Sequence, residues 1–187
     1  LVLLLRRNRA LNARFLADYV SAAWGGHYEH YDNQSEPPES QAENPDGSPA
    51  RFVVGNSPGF LVSSPHGIFL VNCFDQPYFE DPEALANAVG ESRLRHMLEE
   101  NRAWLSVDLM KPPREDVERK AAYGPIARLV GELSGANCIA LLCPETNQWL
   151  PWNHDLEEKL KGPNPLDLFD TEASLPVVEI PEGDPRL

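Results

Sequence analysis

Three groups of side chains are of types that could carry chemistry. Cys138 and Cys143 bracket the apolar run Ile139-Ala140-Leu141-Leu142, and paired thiols suggest a metal or redox centre. Two ligands must converge on one ion, but on a continuous strand this odd spacing turns the two to opposite faces. Buried packing is the expected role, since free cysteine is among the most buried residue types. His27 and His30, with Glu29 and Asp32 beside them, are also zinc-type ligands. Such a site needs a rigid helix or a third ligand from elsewhere, and this segment runs directly into an acidic, Pro/Ser-rich stretch. The expectation is therefore no metal and no cofactor.

The third group is the densest polar and aromatic cluster, Glu145, Trp149, Trp152, His154 and Asp155. It lies just beyond an apolar strand-like run, where layered α/β proteins form ligand crevices. Glu145 or Asp155 could tune His154 as an acid–base pair. That makes a small-molecule-binding or hydrolytic pocket around 149–155 one reading. In the other reading the tryptophans cover a sheet edge and His154 sits in the first helical turn after an Asn153 cap. The second is preferred, and no catalytic residue is assigned. The chain has no nucleophile elbow, no His-Glu-x-x-His motif and no phosphate-binding glycine pattern.

The elements that must position these groups follow from periodicity. Residues 1–5 read as a strand apolar on both faces. Phe15, Leu16, Tyr19, Val20, Ala23 and Trp24 recur at helical spacing, with Asn12 as the cap and Gly25-Gly26 as the stop. Phe60-Leu61-Val62 and Ile68-Phe69-Leu70-Val71 flank Ser63-Ser64-Pro65-His66-Gly67 and predict a β-hairpin. Asp81 and Pro82 open a helical region over 83–101 with Gly90 near its middle. A strand over 103–110, a helix over 116–134 containing Pro125, a strand over 138–143 and a helix over 153–161 complete the order. The stretch 32–50 has no large apolar residue and is expected to be a mobile acidic loop. Residues 162–187 read as an irregular Pro-rich tail in which 175–180 could add an edge strand.

The first six elements give a β-α-β-β-α-β sequence. The fold class expected is α+β, a ferredoxin-like split two-layer sandwich extended by a further helix–strand unit. Its sheet is mainly antiparallel, with helices on one face. With 187 residues, one domain is expected.

The net charge of −13 disfavours nucleic acid, because so acidic a surface repels phosphate backbones. An odd count of three cysteines provides no disulfide framework and points to a reducing cytoplasm. The opening apolar run is too short to span a bilayer, and its arginines follow it rather than precede it. No membrane role is expected.

Gly59-Phe60-Leu61-Val62 with Ile68-Phe69-Leu70-Val71, followed by Glu100-Asn101-Arg102-Ala103-Trp104-Leu105-Ser106-Val107, resembles an uncharacterised bacterial domain-of-unknown-function family. Ala127-Arg128-Leu129-Val130, Ala140-Leu141-Leu142 and His154 extend the likeness, which covers residues 52–168. The resemblance implies a ferredoxin-like core and no assigned activity. The expected role is a non-catalytic protein-interaction domain of a bacterial cytoplasmic protein, meeting another protein through a sheet edge or an aromatic surface. A small-molecule-binding or hydrolytic domain is the alternative.

Overall fold

The computed structural model describes residues 1–32, 50–88, 92–113, 115–146 and 148–168. Eight strands and five helices occur among them: β1 (Val2–Leu5), α1 (Ala13–Trp24), β2 (Glu29–Tyr31), β3 (Phe52–Asn56), β4 (Gly59–Ser64), β5 (Gly67–Phe74), α2 (Pro82–Ala88), α3 (Ser92–Glu100), β6 (Ala103–Leu109), α4 (Asp116–Leu133), β7 (Cys138–Cys143), β8 (Gln148–Pro151) and α5 (His154–Lys161). The strands form one sheet in the order β2-β3-β4-β5-β6-β1-β7-β8. Every neighbouring pair is antiparallel except β2 and β3. The fold is α+β with a large, mainly antiparallel sheet.

Several local expectations hold at the level of single bonds. Asn12 caps α1 by accepting from the Phe15 N–H at 2.9 Å, and Gly25 ends it in a left-handed conformation with φ of 73°. Asp81 accepts from the Ala84 N–H at 2.8 Å, and Asn153 accepts from the Leu156 N–H at 2.7 Å. Each satisfies one of the orphan donors of a first helical turn. Pro125 lies inside α4 without ending it. Its carbonyl accepts from the Trp24 indole at 3.0 Å, which ties α1 to α4.

Two features of the expected architecture are corrected. The strand order departs from the ferredoxin-like split unit, in which the first strand would lie between the hairpin and the strand that follows the second helix. Instead β3, β4, β5 and β6 form a continuous antiparallel meander, and β6 separates the hairpin from β1. β6 and β7 flank β1, both antiparallel to it, and α4 joins them. The helices also occupy both faces of the sheet. α1, α4 and α5 pack over a cluster that includes Leu3, Leu5, Phe60, Phe69 and Leu141. α2 and α3 cover a second cluster with Val2, Leu4, Ile139, Leu142 and Trp149. The reason lies in β1 and β7, whose every residue is buried, so both sides of the sheet centre need cover.

A third correction concerns the cysteines. The register of β1 against β7 slips between Leu4 and Leu5, where Leu4 faces Ala140 but Leu5 faces Cys138. Ile139 is the extra residue of this bulge, and one extra residue reverses the facing of everything beyond it. Cys138 and Cys143 consequently join the same cluster rather than opposite faces.

β2, β3 and β8 were not expected from the sequence. Gly55, at φ of 126°, lets β3 fold tightly against β4, since a Cβ there would lie 2.5 Å from the Gly59 carbonyl oxygen. Most of the stretch expected as a mobile loop, the segment around Gly90, and the 175–180 run lie outside the described residues. The start of the tail is packed: a 3₁₀ turn at Pro165–Leu168 places Leu168 in the first cluster. Among the described residues no helix is long and apolar enough to cross a membrane.

Candidate functional site

The cluster read from the sequence does not converge on one pocket. Trp149 sits on β8 opposite Leu142, so its indole faces the second cluster. It is fully buried there and stacks on Phe79, with ring centroids 5.4 Å apart and planes 15° from parallel. Trp152 follows β8 and packs, half-buried, against the first cluster on the other side of the sheet. His154 points to solvent from the first turn of α5, with 79% of its side chain exposed and Nε2 3.3 Å from Glu158 Oε1. Asp155 is exposed beside it, and Glu145 lies in the 3₁₀ turn Pro144–Thr146. The alternation along β8 therefore separates the two tryptophans, and the cap at Asn153 turns the histidine outward. His154→Ala should change stability by less than about 0.5 kcal/mol, as exposed substitutions do, measured by thermal melting. A larger loss would mean that the imidazole is packed.

Glu145 belongs to a different arrangement. At the C-terminal ends of β6 and β7, beside α4, a cleft of about 120 Å³ is lined by Val107, Asp108, Leu109, Tyr123, Ile126 and Glu145, among others. Burial and hydrogen bonding to Glu145 hold the Tyr123 phenol protonated, well above its ordinary range, with Cys143 adding to the effect. Asp108 accepts from the Ser106 hydroxyl at 2.7 Å, and Ser106 in turn accepts from the Asn72 amide at 3.2 Å. The cleft thus offers a neutral phenol beside the Glu145 carboxylate. Its volume falls below the ~300 Å³ at which pockets for small molecules begin.

The candidate metal ligands are likewise dispersed. His27 and His30 are exposed, while Tyr28 between them is buried in the first cluster. Among the described residues no three His, Cys, Asp or Glu side chains come together to hold a metal ion. Burial pushes the Cys138 thiol up to about 11 and also raises Cys73, whose Sγ donates to the Arg9 carbonyl at 3.3 Å. Reactivity follows the thiolate fraction, so both should resist iodoacetamide in the native protein at mildly alkaline pH and react once denatured. Rapid native labelling of Cys138, read by peptide mass analysis, would contradict this.

What the sequence reading missed is a surface. On the side away from α1 and α4, the strands β3 to β6 carry two cross-strand rows. One runs Phe52, Ser63, Ile68, and the other Val54, Leu61, Leu70, Asp108. Phe52, Val54 and Leu61 are half-buried, whereas Ile68 and Leu70 are 44% and 37% exposed. Met110 adjoins them, 52% exposed, with its N–H bonded to the Ile68 carbonyl at 2.9 Å. α2 and α3 pack against β1, β7 and β8 on this side, and the stack of Phe74 on Trp104 at 4.5 Å lies in the register row beyond Asn72 and Ser106. The signal was available: Ile68-Phe69-Leu70-Val71 is apolar at both parities, the mark of a strand covered on both faces.

Comparison of the chain with protein-family models, with curated proteins and with solved structures returned no match.

Proposed function

We propose that this chain is a non-catalytic protein-interaction domain of a bacterial cytoplasmic protein, with the β3–β6 sheet face as its contact surface. One observation carries the reading. Among the described residues, β3 to β5, whose sequence is apolar on both sides, have helices packed over one side, and Ile68, Leu70 and Met110 are exposed on the other. Soluble monomers rarely expose extended contiguous apolar surface, and where they do it marks an interaction site. The dispersal of Glu145, Trp149, Trp152, His154 and Asp155 supports the same reading, because a shared pocket is what the small-molecule or hydrolytic alternative requires. The family resemblance over residues 52–168 remains part of the proposal and adds no activity to it.

The test is a photo-crosslinking residue at position 70, with one at Val117, exposed on α4, as the control. Irradiation in the native cell should yield an adduct of discrete mass from position 70 and none from position 117. Equal labelling at both, or none at either, would refute the proposal.

A further inference from the structure

We infer that the occupant of this face is a single amphipathic helix, contributed by a partner protein, with basic residues along both of its flanks. The inference rests on the interaction reading above and adds the chemistry of the partner. Sheet edges take strands, but sheet faces are covered by helices or by other sheets. On this same side, α2 and α3 already cover the neighbouring strands, so a further helix beside them would continue an existing layer.

The charges specify its flanks. Glu29 aligns with Phe52 at one end of the first row, and Asp108 aligns with Leu70 at the far end of the second. Tyr31, in register with Val54, donates its hydroxyl to Glu29. The registered positions between these carboxylates are Phe52, Val54, Leu61, Ser63, Ile68 and Leu70, none of them charged. β2 and β6 are four strand spacings apart, about 19 Å. A helix about 10–12 Å across, laid along the strands over the apolar rows, leaves a gap on each side that a lysine or arginine side chain spans.

A second copy of this chain fits the face less well. It would bring carboxylate against carboxylate, and each copy carries a net charge of −13. One helix of about 18 residues, ~27 Å long, matches the length of β5.

The probes are two fluorescein-labelled synthetic helices of that length with the same leucine face, one with lysine flanks and one with glutamate flanks. Binding to the full chain is read by fluorescence anisotropy at physiological salt. The lysine helix should bind saturably, and the glutamate helix at least about tenfold more weakly. An Ile68→Ser/Leu70→Ser pair and a Glu29→Gln/Asp108→Asn pair should each weaken the lysine helix by about tenfold or more. Circular dichroism and melting of each variant verify that it is folded. No binding of the lysine helix, or binding indifferent to the Ile68→Ser/Leu70→Ser pair, would overturn the inference, the latter because it reports only attraction to an acidic surface. So would sedimentation of the chain as a dimer that this pair dissociates. In that case, or where the position-70 crosslink forms while the lysine helix fails, the interaction reading stands and only the helical partner is refuted.

Discussion

Replacing Trp149 with alanine should lower the stability of this chain by about 3–5 kcal/mol, the range for deleting a large buried aromatic. The indole is fully buried, stacked on Phe79, and packed with Ile139, Leu142 and Met97 in the second cluster. Removing it leaves a cavity beneath α2 and α3 that their short helices cannot easily close. Since whole domains are stable by about 5–15 kcal/mol, the loss should be plain in urea unfolding followed by circular dichroism. Trp152→Ala should cost less, because that ring is half-buried. If the order were reversed, the account of how β8 divides the two rings between the faces would be wrong.

Asn101→Ala should cost about 3 kcal/mol, from two or three buried hydrogen bonds at ~1 kcal/mol each. Asn101 is fully buried. Its amide donates to the Ala103 carbonyl at 2.7 Å and to the Leu5 carbonyl at 3.4 Å, and its side-chain oxygen accepts from the Tyr78 N–H at 2.9 Å. One side chain therefore ties the end of β1, the entry to β6 and the loop before α2. Truncation leaves those backbone groups buried without their partner, which is costlier than losing surface bonds. Chemical denaturation of Asn101→Ala and Asn101→Asp measures the effect. A loss below about 0.5 kcal/mol, the level of an inert surface change, would mean that water replaces the amide without penalty.

Legibility in the sequence tracked how far each signal is local. The caps at Asn12, Asp81 and Asn153, the β4–β5 hairpin, and β1, β6 and β7 depend on neighbouring residues and could be read directly. β2 is only three residues long and exists because β3 lies beside it, so its own Glu-His-Tyr carries no strand signal. β8 is a four-residue edge strand ending in Pro151, a residue that sheets tolerate at such margins. The placement of helices on both faces was legible in principle, because β1 is apolar at every position and one helical layer covers only half of it. The facing of Cys138 and Cys143 was not, because a one-residue bulge is set by pairing with β1 and leaves no mark in the run itself.

The same distinction explains the candidate site. Composition placed Glu145, Trp149, Trp152, His154 and Asp155 in one short segment, but closeness in sequence is not convergence in space. A strand sends successive side chains to opposite faces, and β8 lies in the middle of that segment. The exposed rows of β3 to β5 contain no residue of a type that carries chemistry. Their signal was a mismatch between how apolar the strands are and how much of them is covered.

The place of β1 also sets a timetable for folding. Val2 pairs with Ser106 on one side and Leu142 on the other, each more than one hundred residues further along. β1 is synthesised before every other element described here, yet it cannot enter the sheet until β6 and then β7 exist. At about 5–20 residues per second, a run of five almost wholly apolar residues waits on the order of ten seconds for its partners. The β3–β6 meander can form meanwhile from sequential pairings, so closure of the sheet around β1 is expected to limit the folding rate. Until then Leu1-Val2-Leu3-Leu4-Leu5 is the segment of this chain best suited to a chaperone.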